Sequence, residues 1–539
     1  MATASATASA QSPGFDYTSQ NYLFRWIILF GLMTSAIMEV LDTTIVNVAL
    51  PQMAGNLGAT FQEVAWVSTG YILSNVVVLP MTAFFTATFG RRNYLTASII
   101  IFVCASFLCG TSHTLGELIL WRVIQGAGGA ALLSTAQATI RQIFPREEQG
   151  MVQAVFLLGI IVAPTLGPTL GGYITDNYTW NWCFFINVPI GIVAMFMVSS
   201  FLKDPEGTER RTGPIDFLGI SLLAVGLASL QYVLEEGQQD DWFESNIIVR
   251  FSIIAAIALS AMLIWELHPK NKAPVVDFRV LKNRTLAATL ALFVSLGFGL
   301  YGGVYLFPLF TQNLLGFSPT QTGLALLPGG LCTGAGSLIC GRMLNGAKPL
   351  VDPRVLIYFG VAVFSFSMWT MAHLTLASGE PDTRMALIYR GLALGFLFTP
   401  INSVAYASIE PRQAQQASGL INLARQLGGS FGIAALGTYL TNQTTTHRAY
   451  LANDISYGNP NFTAHLQGAT LGNFSHGINM FASQQMAYGQ LENLISTQGR
   501  LLAYNDAWML ILMAFVCASP AILLLSKPKR SAAPPPDAH

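Results

Sequence analysis

The sequence predicts an all-α polytopic membrane fold with fourteen spanning helices, and three observations carry that prediction. The chain of 539 residues is 52% hydrophobic and only 10% charged. A soluble globular chain carries roughly 25% charged residues, so this one cannot cover a water-facing surface. Apolar stretches of about 20 residues, enough to cross the hydrocarbon layer, recur near 24–48, 64–88, 94–111, 117–138, 151–174, 183–202, 216–234, 247–267, 286–311, 321–342, 354–375, 385–407, 416–440 and 505–526. Lys and Arg cluster after even-numbered stretches, as at Arg91–Arg92, Arg141–Arg146 and Lys203–Arg211, and are nearly absent after odd-numbered ones. That bias marks cytoplasmic loops. It places both termini in the cytoplasm, with Arg384 as an exception to the alternation.

The segments outside the spans are few. Residues 1–20 and 527–539 are polar or proline-rich and read as disordered tails. Residues 203–285 hold two spans with charged cytoplasmic linkers. The segment 441–504 is polar, rich in Asn, Gln and Gly, and faces outward; its run Met486–Ser496 is a candidate helix along or above the membrane. The balance of 27 basic and 27 acidic residues gives no reason to expect nucleic acid. The six cysteines lack metal-ligand spacing and read as small buried hydrophobes. No metal site is expected.

The chain repeats internally. L-W-R-V-I-Q-G (Leu120–Gly126) in the fourth span parallels I-Y-R-G-L-A-L-G (Ile388–Gly395) in the twelfth. The second and tenth spans each contain Leu-Pro and end in Gly-Arg. Spans 1–6 therefore map onto spans 9–14 in the same orientation, leaving 7 and 8 as an inserted pair. The expected units are a six-helix bundle over 21–202, the insertion over 203–285, and a second bundle over 286–526 that includes 441–504. Two six-helix halves related by an axis along the membrane normal are the major facilitator plan.

Five runs carry a closer resemblance. L-D-T-T-I-V-N-V-A-L-P (Leu41–Pro51), R-V-I-Q-G-A-G-G-A (Arg122–Ala130), G-I-I-V-A-P-T-L-G-P-T-L-G-G (Gly159–Gly172), W-N-W-C-F-F-I-N-V-P-I-G (Trp180–Gly191) and N-L-A-R-Q-L-G-G-S-F-G (Asn422–Gly432) occur in order. They resemble the motifs of the fourteen-span drug:proton antiporters, the EmrB/QacA family, and the long outward segment looks closer to the EmrB branch. The resemblance implies proton-coupled export of lipophilic drugs across a bacterial inner membrane. It implies no cofactor beyond the proton gradient, and it implies work with a periplasmic adaptor and an outer-membrane channel. One motif departs: the loop after span 2 carries Ala83 and Ala87 where the family has Gly and Asp, ahead of the gate-loop residues Gly90, Arg91 and Arg92.

Charges inside a span are costly and usually functional. Glu39 and Asp42 lie three residues apart, on one helix face. A carboxylate in a low-dielectric cavity is suited to exchanging a proton near neutral pH, and a deprotonated one attracts a cation. The resemblance makes Asp42 the proton-coupling residue with Arg122, and Glu39 a substrate contact. The alternative is a brace at the helix end. Asn47, in the same motif, joins the candidate substrate cavity with Tyr301, Tyr305, Arg390 and Arg425. The two arginines either brace helices or set the cavity's electrostatics, and anionic substrates favour the second reading. Trp66, Tyr71, Phe298 and Phe307 are weaker candidates for stacking on drugs, set against core or lipid contact. Gly159, Pro164, Gly167, Pro168, Gly171 and Gly172 form the antiporter motif, where small residues permit close helix packing and prolines bend the helix. No phosphate-binding G-x-x-x-x-G-K-[S/T] loop or catalytic cluster is present, so an enzyme is not expected. A facilitator for one metabolite or nutrient is the competing reading.

Overall fold

The computed structural model describes residues 22–203, 216–269, 271, 274–344, 350–409, 413–453 and 459–525. The two tails and most of the 203–215 linker lie outside them. All fourteen expected stretches fall on helices. The first half contains α1 (Tyr22–Leu57), α2 (Phe61–Val78) continued by α3 (Thr82–Phe89), α4 (Arg91–Gly110), α5 (Leu115–Ile143), α6 (Arg146–Asn177), and α7 (Trp182–Phe185) with α8 (Asn187–Phe201). The insertion is α9 (Phe217–Glu236) and α10 (Asn246–Leu267). The second half contains α11 (Arg284–Asn313), α12 (Pro319–Leu344), α13 (Pro353–Met371), α14 (Glu380–Ala407), α15 (Ala414–Asn453), α16 (Pro460–Ser475) and α17 (Met480–Ala518). Among the described residues, 12 helices are long and apolar enough to cross a membrane. The stretches 151–174 and 416–440 fall on α6 and α15, which are more polar, run for 32 and 40 residues, and pack inside the bundles.

Local sequence sets the ends of these helices. Thr60 and Glu63 form a reciprocal capping box at α2. Thr114 accepts from the Glu117 amide at α5, and Asn283 from Thr285 and Leu286 at α11. Leu79–Met81 tighten into a 3₁₀ turn at Pro80, between α2 and α3. Gly90 breaks α3 from α4 with φ +84, a conformation favouring glycine. Arg384, the exception in the charge pattern, pairs with Glu380 one turn earlier.

Each half buries its own apolar core. Large apolar residues such as Phe196, Ile257, Ile264 and Leu331 remain exposed on the outside of the bundles, as lipid-facing surfaces require. The halves meet where α6 packs on α12 and where α5 packs on α15. The inserted pair covers another seam. Trp66 of α2 stacks on Tyr232 of α9 at 5.7 Å, and Gln231 of α9 donates to Ser430 of α15 at 2.7 Å.

One expectation is extended and one needs correction. The 441–504 segment is mainly helical: it extends α15 to Asn453, adds α16, and supplies the first turns of α17, which contains Met486–Ser496. Of the six cysteines, Cys109, Cys183 and Cys340 are buried, whereas Cys104 and Cys517 are exposed on helix surfaces and Cys332 is half-buried.

Candidate functional site

α1 does not end near Asp42 but continues to Leu57. Glu39 and Asp42 therefore lie mid-helix, and a helix-end role for either is excluded. Asp42 has no solvent exposure. Its Oδ2 accepts from Arg122 Nη1 at 2.5 Å, while Oδ1 accepts from Gln125 Nε2 at 3.0 Å and from Asn187 Nδ2 at 2.7 Å. Arg122 also donates to the Val67 carbonyl at 2.9 Å and to Gln125 Oε1 at 2.7 Å, and it stacks over the Tyr71 ring at 4.3 Å. Gln125 and Asn187 both donate to Ser106 Oγ, which donates to the Phe184 carbonyl. Five side chains from α1, α4, α5 and α8 thus form one dry network. A buried ion pair persists only when further hydrogen bonds offset its desolvation, and here both carboxylate oxygens of Asp42 and the Nε and Nη1 of Arg122 are engaged.

Glycines in α5 let this network close. A Cβ at Gly126 would sit 2.3 Å from both Ser74 Oγ and the Tyr71 carbonyl. A larger residue would push α2 away and separate Tyr71 from Arg122.

Glu39 is buried but bound differently. It accepts from Asn75 Nδ2 at 3.3 Å and from the Leu133 amide at 3.0 Å. Among the described residues no cation is hydrogen-bonded to it. Asn47 is exposed further along α1 and accepts from Ser68 at 2.7 Å. Tyr301 and Tyr305 are half-buried on α11, against Gly429 and Gly437 of α15. Phe298 and Phe307 are buried in the second half's core.

The antiporter-motif glycines face α1 beside Asp42. A Cβ at Gly167 would fall 1.9 Å from Thr44 Oγ1, one at Gly171 2.8 Å from the Ile45 carbonyl, and one at Gly159 2.8 Å from Ile37. Gly172 differs, since a Cβ there meets nothing within 4 Å and close packing does not require glycine. Pro164 and Pro168 fall within α6, with their side chains outside the described residues. The opposite face of α6 meets the second half, where Thr169 lies against Gly323 and Leu158 against Gly334.

At the end that carries the start of α1, hydrogen bonds cross between the halves. Ser418 donates to the Ser134 carbonyl at 2.7 Å, Gln415 to Thr135 at 3.2 Å and Asn422 to Gln137 at 3.0 Å. Arg141 donates to the Asn402 carbonyl and stacks over Tyr406 at 4.2 Å. Arg91 and Arg92 donate within their own half, to Gln142 and to the Ser199 carbonyl. Ala83 and Ala87 stand where the motif has Gly and Asp, and among the described residues the contacts named above join the halves at this end.

Two helical bundles packed face to face, the first holding a buried Asp–Arg pair, have a recognised counterpart. The sequence pattern of the Major Facilitator Superfamily matches residues 32–433. The chain belongs to the major facilitator superfamily. Within that superfamily it is similar to the multidrug export protein EmrB of Escherichia coli K12, with 34% identity over 488 residues covering 90% of this chain and 92% of that one. The fatty acid resistance protein FarB of Neisseria gonorrhoeae is 32% identical over 507 residues, covering 94% and 97%. The human organic anion transporter TETRAN shares the major facilitator fold, with a TM-score of 0.55 at 12% identity over 92% of this chain and 100% of that one.

Sequence reasoning did not single out Gln125, Asn187, Ser106 or the cross-half hydrogen bonds. Gln125 had a signal, because it follows Arg122 by three residues on the same helix face. Asn187 was a polar residue at the head of an apolar span. Ser106 had none, because a serine in an apolar helix ordinarily bonds its own preceding turn.

Proposed function

We propose that this chain is a proton-coupled multidrug efflux antiporter of a bacterial inner membrane, exporting lipophilic compounds by alternating access. The observation that carries the reading is the dry Asp42–Arg122 pair, set in α1 where α6 packs against it. Proton uptake by Asp42 removes the charge that Arg122 and two amides hold. The contacts around α1 then rearrange, and α6 passes the change to α12 in the second half. Glu39 and the aromatic residues of α11 face the substrate. The glycines that hold α6 on α1 limit proton leak. The names of the relatives, multidrug export and fatty acid resistance proteins, support export of amphipathic compounds.

In this reading both termini are cytoplasmic. The hydrogen-bonded end is then the cytoplasmic gate, closed here. The extension formed by α15, α16 and α17 faces outward, where a periplasmic adaptor leading to an outer-membrane channel docks. The protein is a carrier and not an enzyme, and its energy source is the proton gradient. The test is direction: in everted vesicles an imposed proton gradient should drive ethidium into the lumen, and an uncoupler should stop it. Ethidium entering whole cells through this protein, with none driven in everted vesicles, would contradict the proposal.

A further inference from the structure

The linker 268–283, which joins α10 of the inserted pair to α11, enters the seam between the halves. Val275 and Val276 on it are each 2% exposed. They share one apolar cluster with Met81 and Phe84 of the first half, Met262 of α10 and Leu420 of α15. Leu420 lies two residues from Ser418 and two from Asn422, which bond across to α5, so the cluster borders the hydrogen-bonded gate. α3 carries no charged residue, with Ala87 where the motif has Asp, so it offers this seam no charge. Phe84 of α3 is buried in the cluster instead.

Polar contacts fix where the two valines sit. Glu266, one residue before the end of α10 and 2% exposed, accepts from the Val275 amide at 3.2 Å and from Asn271 Nδ2 at 3.4 Å. Asp216, which caps α9, accepts from Asn271 at 2.7 Å and from Trp265 Nε1 at 2.9 Å. Gly219 makes room for both carboxylates, since a Cβ there would lie 2.7 Å from Asp216 Oδ2 and 2.9 Å from Glu266 Oε1. At the other end of the linker, Asn283 donates to the Ser408 carbonyl at 2.6 Å and ties it to the second half. Anchoring the insertion would not by itself require a Val pair inside a cluster that both halves share. Any motion that parts α3 from α15 must split this cluster and expose its apolar side chains, at a cost that grows with the area exposed. The valines therefore weigh on the balance between closed and open gate.

We propose that the inserted pair is a working part of the gate: Glu266 positions Val275 and Val276 as a wedge that favours closure at this end. The wedge sets how readily the cytoplasmic side opens to substrate. Glu266, Val275 and Val276 are positioning residues, acting through the packing of α3 on α15. This inference rests on the export reading and on the orientation given with it.

The test uses the full chain with Val275→Ala and Val276→Ala combined, spin-labelled on α5 and α15 at the gate end and held in lipid nanodiscs. Removing the buried methyl groups should raise the ratio of open to closed gate by about tenfold, seen as a larger share of long distances. Glu266→Leu, which removes the acceptor of the Val275 amide, should shift the distances the same way. In everted vesicles a larger share of the protein is then open to ethidium. The half-saturating ethidium concentration should fall by about threefold to tenfold, while the maximal rate falls as well. A packing role alone would lower the maximal rate and leave both the distances and the half-saturating concentration native, and that result overturns the proposal. If the double variant does not reach the membrane, Val276→Ala alone reads the same distances, and native distances there overturn it too. Lengthened distances in a chain whose native form exports no ethidium would uphold the wedge and sink the export reading.

Discussion

Removing Arg122 alone leaves the Asp42 carboxylate in a dry interior with two neutral amides as its only donors, Gln125 at 3.0 Å and Asn187 at 2.7 Å. Breaking one side of a buried pair costs about 3–5 kcal/mol, because the surviving charge is uncompensated. Arg122→Met should therefore destabilise the protein by about that amount. Asp42→Asn costs less in size but also has a clear penalty. With its oxygen turned to the two amides, its own NH₂ group faces Arg122 Nη1, donor against donor. The double variant Asp42→Asn with Arg122→Met removes the conflict, so its loss should be smaller than the sum by an interaction term of about 2 kcal/mol or more. Unfolding in mixed micelles, followed by intrinsic fluorescence in a double-mutant cycle, reads this term. Strictly additive losses would show that the pair is not the electrostatic unit described here.

Other consequences follow from single contacts. Gly167→Leu must displace Thr44 or α6, so transport should fall sharply, while Gly172→Ala, whose Cβ meets nothing, should transport at the native rate; vesicle export of ethidium compares them. Combining Ser418→Ala with Asn422→Ala and Arg141→Met removes cross-half bonds at one end and should shift the population toward opening there. Spin-label distances between α5 and α15 at that end should lengthen, and unchanged distances would contradict the gate assignment. Replacing α16 (Pro460–Ser475) with a short linker should leave vesicle export near native but lower cellular resistance; retained resistance would argue against adaptor docking there.

Much of the fold was legible because hydrocarbon imposes coarse rules. Span length located the helices that are long enough to cross a membrane, including α6 and α15, whose Gly, Asn and Gln content weakens their apolar signal. The segment 441–504 was less legible. Its Asn, Gln and Gly composition reads as loop, yet the chain continues as helix, with Asn459 and Asn479 capping new starts. Asp42 and Arg122 stood out as charges in apolar runs, and their pairing needed only the fold to bring them together. Gln125, Asn187 and Ser106 did not stand out, because uncharged polar residues cost little individually and their value lies in geometry. The cross-half hydrogen bonds were invisible for the same reason. Ser134 and Ser418 are ordinary helix residues until α5 and α15 are placed side by side.

The central claim is that Asp42 carries the proton. The most direct measurement is substrate-driven proton movement in vesicles containing the purified chain, read by a pH-sensitive dye, for native protein and Asp42→Asn. Native protein should move protons when ethidium is added. Asp42→Asn should bind ethidium yet move no protons and export nothing against its gradient. Proton-driven ethidium export at the native rate in Asp42→Asn would contradict the account.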